Sequence, residues 1–151
     1  MARFTHPAFG GVGGLTTEIH PYTPIWNTAT SEMQFSSDPL VEGYYIKIGN
    51  LVTVQIDVLM SNVTNFGTTG YTVTLPFPSK YHTDVYGGSV HQIVNQGVDH
   101  YSIKGHLTDG SNIVNIYAVS SSALDEVFDY NSPTNLHPDD RFHMFFTYMA
   151  E

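Results

Sequence analysis

The stretch Gly43-Tyr-Tyr-Ile-Lys-Ile-Gly-Asn-Leu-Val-Thr-Val-Gln-Ile-Asp-Val-Leu-Met60 constrains this chain more than any other. Val52, Val54, Ile56, Val58 and Met60 are apolar, and Thr53, Gln55 and Asp57 between them are polar. A period of two is the mark of a strand with one wet and one buried face. On the preceding arm Tyr44, Ile46 and Ile48 form the matching apolar set, with a turn predicted at Gly49-Asn50. Opposed residues on paired strands face the same side, so the loop length follows from the register. A two-residue loop sets Lys47 opposite Val52 and mixes the faces. A three-residue loop, Gly49-Asn50-Leu51, pairs Ile48 with Val52, Ile46 with Val54 and Tyr44 with Ile56. The pattern therefore predicts the longer loop, with a bulge.

A second hairpin is predicted over residues 101–119. Asp109-Gly110 has the chemistry of a two-residue type I′ turn. Pairing across it sets Gly105 opposite Val114, Ile103 opposite Ile116 and Tyr101 opposite Ala118. Ser102, Lys104 and His106 then share the outer face with Tyr117, Asn115 and Ile113. Shorter strands are expected at Ile25-Trp26, at 32–35, at 71–75 and, more weakly, at 90–94 after Gly87-Gly88. Pro76 and Pro78 end the 71–75 strand because proline cannot donate to a central ladder. Residues 121–128 have room for one helical turn, and 131–140 read as an irregular loop. The closing segment Arg141-Phe-His-Met-Phe-Phe-Thr-Tyr-Met149 is apolar on both faces, as expected of a central strand or of one buried against another subunit. Its candidate interface residues are Phe142, Met144, Phe145, Phe146 and Tyr148.

No segment keeps a helical period over three turns. About seven to nine strands at short spacing predict an all-β fold, an antiparallel, jelly-roll-like β-sandwich with an extended N-terminal arm. The expected division is an arm over 1–21 and a sandwich over 22–151. Gly10-Gly11-Val12-Gly13-Gly14 is too flexible for a helix or central strand, and Pro7, Pro21 and Pro24 punctuate the region further. Phe4, Phe9, Val12, Leu15 and Ile19 would be wasted apolar surface on a free tail, so the arm is expected to order on a partner or a neighbouring subunit.

At 151 residues the chain is one domain with a real core. It has no cysteine, which excludes disulfides and thiolate metal sites and fits synthesis in a reducing cytoplasm. No stretch reaches the length of a membrane-spanning helix, and the N-terminus lacks the apolar centre of a secretion signal. Five basic residues face fourteen acidic ones, a formal net charge of -9, and no basic cluster exists to bind nucleic acid. Only 13% of residues are charged, while aromatic and neutral polar residues abound. That balance suits a subunit of an assembly.

The chemistry-bearing residues form no motif of catalysis. Eight histidines are present: His6, His20, His82, His91, His100, His106, His137 and His143. The tightest local sets are His82-Thr-Asp84 with His91, and Asp99-His100. None has the spacing that makes chelation follow from a helix or strand, so hydrogen-bonded histidines are expected and no metal. A trimer axis could still bring three copies of one histidine together around an ion, and His143 on the closing strand is the candidate for it. Asp125-Glu126 and Asp139-Asp140 are adjacent pairs in loops, where neighbouring side chains diverge; solvation and turn formation account for them. Ser120-Ser-Ser122 lacks a nucleophile elbow, and no phosphate-cradling glycine motif opens a helix. Asn62-Val-Thr64 fits a glycosylation sequon, which has no consequence without secretion. No enzymatic activity and no cofactor are expected. Tyr44, Tyr45, Tyr71, Tyr81, Tyr86, Tyr101 and Tyr117 are able to stack on sugar rings, although core and interface claim most strand aromatics. Tyr81 and Tyr86 are the candidate ligand-facing pair.

Four segments in order, Tyr22-Thr-Pro-Ile-Trp26, Gly43-Tyr-Tyr-Ile-Lys-Ile-Gly-Asn-Leu-Val-Thr-Val54, Leu75-Pro-Phe-Pro78 and Phe146-Thr-Tyr-Met149, carry a resemblance. Together they resemble a β-sandwich module of tailed-bacteriophage virion proteins, found in tail fibres, minor tail proteins and head decoration proteins. The resemblance covers roughly residues 21 to 151. It implies a non-enzymatic homotrimer in the virion, made in the host cytoplasm, with no catalytic residues to carry over. No long shaft precedes the module here, which favours a capsid decoration protein anchored by its arm on the major capsid protein or another virion protein. The alternative is a tail-associated tip that binds a receptor or host-surface glycan. A small glycan-active enzyme of the sandwich type ranks third. Neither nucleic acid nor membrane insertion is expected.

Overall fold

Alternating side chains do build this molecule, and they do so as one long sheet rolled onto itself. The computed structural model describes residues 18–37, 40–94, 97–119, 126–127 and 136–151. Its strands in chain order are β1 (His20–Tyr22), β2 (Trp26–Thr28), β3 (Gln34–Phe35), β4 (Leu40–Ile48), β5 (Leu51–Leu59), β6 (Val63–Asn65), β7 (Tyr71–Thr74), β8 (Thr83–Val94), β9 (Gly97–Leu107), β10 (Ile113–Ala118), β11 (Glu126–Val127) and β12 (Arg141–Met149). No helix forms among the described residues. The main sheet runs β1-β4-β5-β12-β8-β9-β10-β7-β2, with β11 beside β10, while β3 and β6 pair separately. Every pairing is antiparallel.

Contacts between strands distant in the sheet show how tightly it curls. Trp26 on the edge strand β2 lies 4.7 Å, ring centre to ring centre, from Phe142 on the central strand β12, and stacks on Tyr71 at 5.2 Å. At the opposite edge, the Tyr22 hydroxyl of β1 donates to the Thr74 carbonyl of β7 at 3.4 Å. The Ile25 N–H bonds Thr74 Oγ1 at 2.8 Å, and the Thr74 N–H bonds the Ile25 carbonyl at 3.1 Å. The two ends of the sheet are thereby drawn together around an interior of Val52, Val54, Ile56, Val58, Val73, Ile103, Val114, Ile116, Phe142 and Phe146. The result is an antiparallel, jelly-roll-like β-sandwich, as the alternation predicts. Tyr148 closes one end of it. Its hydroxyl donates to the Phe77 carbonyl at 3.0 Å and accepts from the Phe77 N–H at 3.3 Å. Burial pushes that hydroxyl's pKa up to about 12, so the neutral phenol makes both bonds.

The first hairpin differs from expectation in its loop. Ile48 pairs with Leu51 and Lys47 with Val52, so the turn has two residues, Gly49 and Asn50. Gly49 has φ of 60° at the first loop position, which suits a type II′ turn. Val52, Val54, Ile56 and Val58 are buried as expected, but Tyr44, Ile46 and Ile48 point outward. The inward places on β4 go to Val41, Gly43, Tyr45 and Lys47. Two contacts explain how Lys47 tolerates this. Its ammonium lies 4.2 Å from the centre of the Phe77 ring, and Phe77 meets Tyr45 edge-on at 5.2 Å. A cation over a ring, with its stem on apolar surface, satisfies both halves of a lysine. Gly43 leaves the space in which Tyr22 and Pro24 sit, since a Cβ there would come within 2.6 Å of Pro24 Cγ.

The second hairpin keeps its parity but shifts by two. Leu107 pairs with Val114, Gly105 with Ile116 and Ile103 with Ala118, and residues 108–113 make the crossing. The predicted outer set holds: Lys104 faces Tyr117 and His106 faces Asn115 across the strands. Positive φ occurs at Gly110 and not at Asp109, so the type I′ turn does not form. The crossing widens because its backbone bonds elsewhere. The Ser111 and Asn112 carbonyls accept from the N–H groups of Ser79 and Leu75 at 2.8 and 2.7 Å, and the Gly110 N–H reaches the Ser79 carbonyl at 2.8 Å.

Further differences concern single elements. The weak strand at 90–94 is the end of the longest strand, β8, which passes through Gly87-Gly88 at a register break opposite β9. Both glycines have positive φ, 133° and 141°. A side chain at Gly87 would strike the Phe145 carbonyl oxygen of the neighbouring strand. Closing strand β12 is central, between β5 and β8. Within 121–128, residues 126–127 are strand, and the rest of the expected helical turn lies outside the described residues. Asp140, expected to be solvated, is fully buried and accepts the His137 N–H at 2.7 Å. His20 and Pro21, counted with the arm, pair with Tyr45 and Tyr44.

Two glycine substitutions separate backbone strain from collision. Gly49→Ala, with nothing within 4 Å of the new methyl, loses about 1–2 kcal/mol in urea denaturation, the cost of a side chain at positive φ. Gly87→Ala adds a clash with backbone and is expected to lose about 3 kcal/mol or more. Equal losses at the two sites would contradict the bulge as described.

Candidate functional site

The outer surface of the rolled sheet divides into two parts of different chemistry. The first is the face shared by β4, β5 and β12. Register sets its rows: Leu40, Leu59 and Arg141; Glu42, Asp57 and His143; Tyr44, Gln55 and Phe145; Ile46, Thr53 and Thr147; Ile48, Leu51 and Met149. Leu40, Tyr44, Ile48, Leu51, Phe145 and Met149 are all exposed, Phe145 the most at 56%. All lie on one face: Leu40 stands beside Leu59 at one end, Ile48, Leu51 and Met149 share a row at the other, and Tyr44 and Phe145 flank Gln55 between them. Polar side chains interrupt it in pairs that satisfy each other. Thr53 and Thr147 share a hydroxyl bond of 3.0 Å, and Gln55 Nε2 donates to Asp57 Oδ2 at 3.1 Å. His143 Nδ1 bonds Asp57 Oδ1. A groove of about 520 Å³ opens at this end, lined by Leu40, Glu42, Asp57, Leu59, Arg141 and His143.

Of the five residues expected at a subunit interface, only Phe145 reaches this surface. Phe142, Met144, Phe146 and Tyr148 point inward and are buried in the chain's own core. Parity explains the correction: β12 alternates, and its inward members pair with Val58, Ile56, Val54 and Val52. The interface residues sequence reasoning overlooked are Tyr44, Ile48 and Leu51, which the three-residue loop had turned inward or left unpaired, and Met149, which joins them through its pairing with Leu51. Of the arm residues, Ile19 is exposed, while Phe4, Phe9, Val12 and Leu15 lie outside the described residues.

The second part is the outer face of β8, β9 and β10, where register aligns Asp84, His106 and Asn115 in one row and Tyr86, Lys104 and Tyr117 in the next. His106 Nδ1 bonds Asp84 Oδ1 at 2.7 Å, and Lys104 Nζ lies 3.6 Å from Asp84 Oδ2. The Lys104 ammonium sits between two rings, 5.8 Å from the centre of Tyr86 and 5.9 Å from that of Tyr117. Its side chain is only 11% exposed, while Tyr86 above it is 66% exposed. His82 meets His106 edge-on at 4.5 Å. The His106 bond, and then the Lys104 charge, hold the Asp84 carboxyl below the usual carboxylate range. Lys104, His106 and Tyr117 were legible as one outer face. Asp84 was not, because nothing local in the sequence pairs β8 with β9.

Tyr81, the other candidate ligand-facing residue, is 54% exposed. It borders a cleft of about 270 Å³ with Leu51, His82, Thr147 and Met149, where the first face ends. Among the described residues no three His, Asp or Glu side chains come together to hold a metal ion, and His143 is engaged by Asp57. No known protein family, curated protein or solved structure matches this chain.

Asp84 makes the fold sensitive to acid. A carboxyl whose pKa is lowered by folding contributes stability above its ordinary range and loses it as the pH falls through the depressed value. Thermal melts from neutral pH to pH about 3 are expected to fall less steeply for Asp84→Asn than for the wild type. Parallel curves would remove Asp84 from the acid response.

Proposed function

We propose that this chain is a non-enzymatic structural subunit whose copies join through the outer face of β4, β5 and β12. The observation that carries this is the concentration of Leu40, Tyr44, Ile48, Leu51, Phe145 and Met149, all exposed, on that single face. Exposed apolar side chains gathered on one sheet face cost solvation in a lone chain and are the usual material of subunit interfaces. A low charge content of 13% fits the same purpose. The motifs around Trp26, Gly49, Pro76 and Tyr148 extend the reading to a homotrimeric phage virion protein, and the apolar residues Phe4, Phe9, Val12, Leu15 and Ile19 of the arm extend it to capsid decoration. In that mechanism the arm lies on the shell and bridges capsid subunits, the sandwich projects, and three linked copies multiply a weak contact into firm attachment. A second reading, a receptor- or glycan-binding tip, is favoured by the exposure of Tyr81 and Tyr86.

Light scattering on the purified protein tests the assembly. The wild type is expected to be an oligomer, and Ile48→Glu with Phe145→Glu to release folded monomers, because both side chains are exposed within one chain. A wild type that stays monomeric at about 50 µM, well above the Kd of a stable interface, would overturn the proposal. Removing residues 1–17 is expected to leave the oligomer folded while abolishing co-sedimentation with the virus particle. Normal coating by the shortened protein would refute anchoring by the arm.

A further inference from the structure

We propose that Tyr86, Lys104, Asp84 and His106 form a binding site for a neutral saccharide on the outer face of β8 and β9. The inference deepens the tip reading above and does not depend on the assembly face, which lies on the other part of the sheet. It starts from an asymmetry. Tyr86 is more exposed than Tyr81 or Tyr44, yet it sits beside a lysine that is nearly covered. The ring therefore screens an ion pair instead of filling the core, and offers its own face to a ligand.

A pyranose presents two kinds of surface. Its C–H face is apolar and flat, and its hydroxyls both donate and accept. An exposed aromatic ring takes the first by stacking. Fixed charged groups take the second, since charge-assisted hydrogen bonds are the stronger ones. Asp84 supplies an ionised acceptor held in place by His106 at 2.7 Å and Lys104 at 3.6 Å. Lys104, nearly covered between two rings, holds that carboxylate in position. With Nδ1 of His106 committed to Asp84, Nε2 is the ring nitrogen available to a hydroxyl. Because these groups belong to paired positions on adjacent strands, their spacing is set by the sheet and needs no ordering on binding.

The charge balance selects the ligand class. Asp84 and Lys104 cancel, so the site has no surplus charge to attract an ion. A net charge of -9 on the chain repels polyanions such as nucleic acid or acidic glycans. The surface is a sheet face and not a deep pocket, so each copy gains little from one sugar. Repeated copies on a particle convert that into useful avidity.

The test uses the full-length protein on an array of immobilised oligosaccharides ending in glucose, galactose, mannose or N-acetylglucosamine, followed by titration with the methyl glycoside of the sugar retained. Saturable binding is expected, weakened about tenfold or more by Tyr86→Ala and comparably by Asp84→Asn, and kept by Tyr86→Phe. Tyr86 and Asp84 are surface positions, and a single cooperative melt at neutral pH shows that the variants fold, with Asp84→Asn lower by the stability its ionised carboxylate contributes. Binding that survives both variants, or is lost instead in Tyr81→Ala, would move the sugar elsewhere and overturn this site while leaving the tip reading intact. Retention of acidic glycans alone would overturn the neutral class. No retention of any sugar would overturn both the site and the tip reading, whatever the oligomeric state.

Discussion

Lys47 stands opposite Val52, and from that register the rest of the outer surface follows. A strand has only two sides, so shifting a pairing by one residue moves every side chain to the other face. The two-residue turn at Gly49 sends Tyr44, Ile46 and Ile48 outward together. Through β5 the same register reaches β12 and places Phe145 and Met149 beside them. An apolar face thus arises from one turn, held by a glycine with positive φ and by a lysine that finds a ring to cover.

Closure of the sheet is the complementary requirement. Trp26 and Tyr71, on the neighbouring strands β2 and β7, meet Phe142 across the interior although β12 is far from both in the sheet order. Short strands suffice at the edges, because Tyr22 and Ile25 tie β1 and the start of β2 to Thr74. The glycine pair in β8 relieves a steric conflict with β12 and bends the strand there. Beyond that bend the outer surface changes character, from apolar residues on β12 to the tyrosines and ion pair on β8, β9 and β10. Surface chemistry and sheet curvature are therefore linked. One half offers area for a like surface, and the other offers directional groups beside an open ring.

Much of this was legible in the residues. The burial of Val52 through Met60 follows from alternation alone, and the central place of β12 follows from apolar residues on both its faces. The outer grouping of Lys104, His106 and Tyr117 survived a shift of two residues because parity survives an even shift. The interface residues on β12 did not. Phe142, Met144, Phe146 and Tyr148 carry the same apolar signal whether they face the core or a neighbour, and Phe145 differs from them only in parity. Asp84 gained its role from a strand far away in sequence, and Asp140 its burial from a turn with His137.

By itself the sequence determined the class of fold, the inward face of β5 and the positions of its main turns, since local alternation and glycine or proline chemistry act over a few residues. Tertiary structure alone decided which β4 residues face the core, why the second crossing is wide, and which side chains meet on the surface. Those outcomes depend on pairing between strands far apart in the chain, as for Thr53 and Thr147, 94 residues apart. Local propensity carries no information about such pairings until the sheet has closed.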